Sequence, residues 1–127
     1  MRAQFSFDDP DPRAVGSVRQ QFAAAAAEWG LAPETAASAT LVISELATNA
    51  VRHARTAFAV NVECNDMTLR IEVFDRDTRA PVAMNADADA TGGRGLLLVA
   101  ALAGNWGWQS AELDGITGKL VWAEFPL

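Results

Sequence analysis

Glu45, Asn49 and His53 recur at four-residue intervals within SELATNAVRHA, residues 44–54, amid Leu46, Ala47, Ala50 and Val51. On an α-helix that spacing stacks side chains along one side. At roughly 100° per residue the three polar groups span about 80°. Val42 and Leu46 fall within or just beside the same arc. The polar line therefore borders the apolar stripe, where a helix that only covers a core turns such groups to solvent. An enclosed polar space is the expectation. A side-chain amide oxygen such as that of Asn49 is a hard ligand of the kind Mg²⁺ accepts, beside waters and substrate phosphates. A carboxylate one turn away, Glu45, can take a proton from a water or a hydroxyl.

Two further stretches carry candidate chemistry. Asp75 ends an alternating apolar run, where a carboxylate beside a cavity can accept a hydrogen bond from an amine such as the exocyclic group of adenine. TGGRGLLLVAALAG, residues 91–104, puts glycines before a helix, where backbone N–H groups and the helix dipole favour an anion. It is not a P-loop, because no Gly-Lys-Ser/Thr follows, and it lacks the third glycine of a dinucleotide fingerprint. Taken alone, each of the three elements has a plain alternative: a helix edge, an Asx-type turn, a tight turn. Asp87, Asp89, Thr91 and Gly92 imitate the opening of a calcium loop, but its twelfth position, which needs a bidentate Glu, is Leu98. The calcium reading fails there.

The elements that must position these residues are legible from periodicity. Gln4 to Phe7 reads as an edge strand. Asp11 caps a helix with Pro12 at its first position, and Val15, Val18, Phe22, Ala25, Ala26 and Trp29 repeat at helical spacing until Gly30 stops it. Pro33 and Glu34 open a second helix that runs to about Ala54. Phe58, Val60 and Val62 alternate, as do Leu69, Ile71 and Val73, with Asn65-Asp66 between them, which predicts a β-hairpin. Residues 76–93 form a long loop rich in Ala, Asp and Gly. A third helix follows from Leu96 to Ala103, ended by Gly104. Trp106 to Ala111 and Lys119 to Phe125 are two more strands around a turn at Asp114-Gly115. Helices and strands segregate, so the expected fold is α+β: a two-layer sandwich with a mixed, mostly antiparallel sheet covered by three helices.

Composition narrows the function. The 127 residues suit one domain with a real core, and half of them are hydrophobic, which argues against disorder. A net charge of −6 argues against nucleic acid, which needs a basic face. Cys64 is alone, so neither a disulfide nor a cysteine metal cage forms within the chain. The N-terminus lacks an apolar signal core, and the longest apolar run, Leu96 to Ala103, is far short of the ~20 residues that span a bilayer. A cytoplasmic protein with no membrane partner is expected.

In their order and spacing, the three elements resemble a known family: the Bergerat-fold ATP-binding domain shared by gyrase, heat-shock chaperones and histidine kinases. Within it the chain is most like the single-domain anti-sigma-factor serine/threonine kinases of bacteria, over almost its whole length, and residues 1–127 are read as one such domain. SELATNAVRHA is similar to the first box, in which the Glu activates and the Asn binds Mg²⁺. IEVFDRD resembles the second, whose Asp reads the adenine amine, and GGRGLLLV the third, whose backbone receives the phosphates. The resemblance implies ATP and Mg²⁺ as cofactors and Glu45 as catalytic base. It implies Asn49 as metal ligand, and Asn49, His53, Asp75, Gly93, Arg94, Gly95, Leu96 and Thr117 around the nucleotide. His53 reads equally as a hydrogen-bonded residue at a helix end. The long loop becomes a lid over the phosphates. The implied partners are an anti-sigma-factor antagonist protein and a sigma factor, with a homodimer expected.

Two departures stand out. The second box usually continues Asp-x-Gly-x-Gly, whereas Asp77 and Arg79 hold the glycine positions here and Pro81 stiffens the chain further. A Thr on the final strand often supports the adenine, whereas here Lys119 follows Gly118, with Thr117 just before it. The function expected is phosphorylation of an antagonist protein. Its rival is an ATP-binding interaction module without turnover. A sensor histidine kinase is disfavoured, because the only histidine lies in the nucleotide box.

Overall fold

The computed structural model describes residues 1–81 and 95–127. The elements run β1 (Arg2–Phe7), α1 (Arg13–Glu28), α2 (Pro33–Asn49), a π-helical turn (Ala50–Ala54), β2 (Phe58–Cys64) and β3 (Thr68–Asp75). Then come α3 (Gly95–Leu102), β4 (Asn105–Leu113) and β5 (Ile116–Pro126). The strands lie in the order β1-β2-β3-β5-β4. Every pairing among them is antiparallel, so the expected parallel component is not found among the described strands. The α+β sandwich is otherwise the fold expected.

Turn chemistry sets the register of the sheet. Asn65 Oδ1 accepts the backbone N–H groups of Met67 and Thr68, which closes the β2–β3 hairpin. Asp114 and Gly115 both adopt positive φ, the two-residue turn that matches strand twist, and they join β4 to β5. β5 then inserts between β4 and β3, which sets Lys119 opposite Asp75.

One face of the sheet carries Val60, Val62, Leu69, Ile71, Val73, Val121, Ala123 and Phe125, all buried. α2 answers with Val42, Ile43, Leu46 and Ala47, also buried, and packs against both α1 and α3. Burying such side chains contributes about 1.5–3 kcal/mol each. That core fixes the roll of α2, and hence where its polar line points.

Candidate functional site

Asn49 and His53 come together with Ala54, Asp77, Arg79, Ala80, Pro81 and Lys119 around a cavity of about 230 Å³. It lies where the end of α2 faces the end of β3 and the chain that follows. The core-facing roll of α2 leaves Asn49 half-buried at its last residue. The Asn49 amide nitrogen is buried and has no hydrogen-bond partner among the described residues. Such a group costs about 1–3 kcal/mol when left unmade. Glu45 is half-buried one helical turn earlier and lies outside the described cavity wall.

Beyond Asn49 the helix does not keep its α register. Residues Ala50–Ala54 are π-helical, and the Arg55 N–H reaches back to the Ala50 carbonyl at 2.8 Å, with Arg55 in the left-handed conformation. The four-residue stacking thus holds from Glu45 to Asn49 and is altered between Asn49 and His53, although both still line the cavity. Burial lowers the His53 pKa below its ordinary value, and the nearby charges of Arg52, Arg55 and Lys119 lower it further.

The strand side is arranged differently. Asp75 is buried, and its Oδ1 accepts both the Lys119 ammonium at 2.9 Å and the Asp77 backbone N–H at 2.9 Å. The two side chains of this ion pair are 4% and 6% exposed, Asp75 and Lys119 respectively. Burial is the largest influence on the Asp75 carboxyl and raises its pKa, against the lowering effect of Lys119 and the Asp77 N–H. Lys119 lines the cavity and Asp75 does not, so the cation stands between the carboxylate and the space.

Asp77 and Arg79 form the next layer. Asp77 accepts the Arg79 backbone N–H at 2.9 Å and the guanidinium at 2.7–3.1 Å. The Arg79 side chain and then its N–H hold the Asp77 carboxyl well below the usual carboxylate range. The same Asp-x-Arg clamp recurs at Asp11 and Arg13, before α1. Neither Asp77 nor Arg79 has positive φ, so the chain follows a path that needs no glycine there. Glycine is needed instead at Gly118, where an added Cβ would lie 1.9 Å from the Asp75 carbonyl oxygen.

Of the other expected site residues, Gly95 is the first residue of α3 and Leu96 is buried in the core beside it. Thr117 is exposed on β5, opposite Glu112 and away from the cavity wall. Gly93 and Arg94 lie outside the described residues, as does the expected lid from residue 82 onward. Periodicity alone had not marked Lys119, Asp77 and Arg79 as cavity residues. A signal was present, because alternation in LVWAEF places Lys119 on the same face as Val121, Ala123 and Phe125, where an unpaired lysine is costly.

Residues 9–122 match the model of the histidine kinase-like ATPase domain. The chain belongs to this family. A solved structure of the RsbU and RsbW domains of Rv1364c from Mycobacterium tuberculosis superposes with a TM-score of 0.72 at 21% identity. It covers 98% of this chain, which spans about a third (32%) of the mycobacterial one, and the likeness is one of fold. The histidine kinase domain of a blue-light-activated histidine kinase from Erythrobacter litoralis aligns at 29% identity and a TM-score of 0.39. That alignment covers 74% of this chain and 45% of the other. No curated protein matches this chain.

The family implies ATP, which a divalent metal would accompany, and the two sides of the cavity suit that group unequally. Asn49 suits it: its buried amide nitrogen, without a partner among the described residues, is a donor that a phosphate oxygen would satisfy, and its amide oxygen is of the kind Mg²⁺ accepts. Asp75 suits it less, because an internal ammonium and the Asp77 N–H already hold its Oδ1 and the side chain does not line the cavity. Among the described residues no cluster of three or more His, Cys, Asp or Glu side chains could hold a metal unaided. Any Mg²⁺ would therefore share Asn49 with phosphate and water. No described helix is long and apolar enough to cross a membrane.

Proposed function

We propose that this chain is an ATP-dependent serine/threonine protein kinase of the anti-sigma-factor type, acting on an antagonist protein in the cytoplasm. The observation that carries the reading is Asn49, whose buried amide nitrogen has no partner among the described residues and would donate to a phosphate oxygen, on the helix face that also carries Glu45, in a domain of the ATPase family. ATP·Mg²⁺ would supply the transferable phosphoryl group and neutralise its charge. Asn49 would hold the metal. Glu45 accepts the proton of a partner's Ser or Thr hydroxyl, and the α2 backbone keeps the two side chains one turn apart, so positioning is the chain's main contribution. Gly93, Arg94, Gly95 and Leu96 belong with the phosphates in this reading, and His53 and Thr117 with the nucleotide. The RsbW label of the mycobacterial domain supports the choice of partner class, with a sigma factor as second partner and a homodimer as the working assembly.

A second reading is a nucleotide-sensing interaction module without turnover, and one observation favours it: Lys119 fills the place beside Asp75. Incubation with γ-labelled ATP and each candidate antagonist protein separates the two. The kinase reading expects label on a serine or threonine of one antagonist. ATP binding with no transfer to any antagonist removes it and leaves the module.

A further inference from the structure

Lys119 has no role in phosphoryl transfer as proposed above, yet it is a buried charge in the cavity wall. Its ammonium donates to Asp75 Oδ1 at 2.9 Å and lies 3.5 Å from the Asp77 carbonyl oxygen. The Asp77 N–H takes the same Asp75 oxygen. Both oxygens of the Asp77 carboxylate are bonded to Arg79. A ligand entering from the cavity therefore meets Lys119, Arg79 and the Asn49 amide, while the Asp75 carboxylate stands behind the ammonium.

We infer that Lys119 determines ligand selection at this cavity: it screens Asp75 from a nucleobase, so that phosphate and metal contacts supply nearly all the affinity for a nucleotide. The inference rests on the nucleotide reading of the site. An amino group on a base is a donor, and against an ammonium donor meets donor with no hydrogen bond formed. To take Asp75 Oδ1 it must displace a charge-assisted bond and strand a buried cation, and to approach the carboxylate from the cavity at all it must pass the ammonium. Among the described residues the ammonium takes up the part of the cavity wall nearest Asp75. A shorter hydroxyl side chain at position 119 would both open that space and expose the Asp75 acceptor.

Calorimetry with Mg²⁺ compares two probes, ATP and inorganic triphosphate, on the parent protein and on Lys119→Thr. In the parent, the two affinities should agree within about tenfold, since the base adds little. In Lys119→Thr, ATP should bind about 10- to 100-fold tighter, the worth of one restored buried hydrogen bond, while triphosphate affinity holds. A parent that prefers ATP over triphosphate by more than 100-fold overturns the inference and leaves the nucleotide reading intact. So does ATP affinity that stays level or falls in Lys119→Thr. A parent that binds neither probe, beside a Lys119→Thr that binds ATP, overturns the inference, since no phosphate and metal affinity is left in the native chain, and removes its nucleotide function as well. Binding by neither protein removes both. Thermal melts check folding. Lys119→Gln, whose amide oxygen can accept from the amine, carries the same expectation if Lys119→Thr does not fold.

Discussion

The helix side and the strand side of the cavity contain similar residue types and treat them in opposite ways. On the helix side the Asn49 amide nitrogen is buried with no partner among the described residues. On the strand side Asp75 pairs with Lys119 and Asp77 with Arg79, and the Asp77 backbone bonds both members of the first pair. A fold gains nothing from an unmade buried hydrogen bond, so in the proposed reading the helix side is where an external acceptor such as a phosphate oxygen is taken up. A satisfied buried pair is neutral ground, hard to break and slow to recruit. The difference teaches that a carboxylate at a strand end is not by itself a binding group. Its partners inside the chain decide.

The largest expected effect probes the helix side. Glu45→Gln keeps shape and hydrogen bonding but loses the proton acceptor, so single-turnover transfer to a cognate antagonist should slow by about 10²–10⁴-fold. ATP affinity should hardly move. Transfer at the parental rate would end the assignment of Glu45 as base.

Next in size is the strand side. Lys119→Met leaves Asp75 buried without its cation and should cost about 3–5 kcal/mol in urea unfolding. Adding Asp75→Leu should restore most of that loss, because an apolar pair of similar volume suits the site. A double variant as unstable as the single one would show that the pair holds more than itself. Gly118→Ala should cost somewhat less, about 1–3 kcal/mol, as the backbones of β5 and β3 are pushed apart at the Asp75 carbonyl. Wild-type stability in that variant would mean that the strands approach less closely than described.

The smallest effect is in pH. His53 is lowered, so on acidification below about pH 6.5 the unfolded chain binds a proton that the native state resists, and stability is lost as pH falls. Asp75 is raised and acts in the opposite sense. The native state keeps its proton to higher pH than the unfolded chain, so stability falls as pH climbs through the carboxylate range. In His53→Gln the stability difference between pH 7.5 and 5.5 should shrink. An unchanged difference would place the acid sensitivity elsewhere.

Much of this was legible in the sequence. Period-two alternation located the strands within a few residues, and helical spacing located α1 and α2, because each element buries one regular face. Asp114-Gly115 announced its turn by chemistry that few other residues supply. The π-helical turn after Asn49 was not legible, since nothing in AVRHA distinguishes an α from a π hydrogen bond. The Asp75–Lys119 pair was hidden for another reason. The two lie 44 residues apart, and only the insertion of β5 between β3 and β4 sets them opposite each other. Asp77 and Arg79 looked like obstacles because glycines were expected there. Their side chains make the clamp that holds the chain on a path open to any residue.

Whether the helix side of the cavity awaits a metal-bound nucleotide is tested most directly by the metal dependence of ATP affinity in Asn49→Ala. Calorimetric titration with Mg²⁺ and again in chelator gives two affinities for the parent and two for the variant. The parent should bind more tightly with Mg²⁺. Asn49→Ala should lose that gain, while its affinity in chelator falls far less. An equal fall in both conditions, or a Mg²⁺ gain that survives the substitution, would contradict the assignment of Asn49 to the metal.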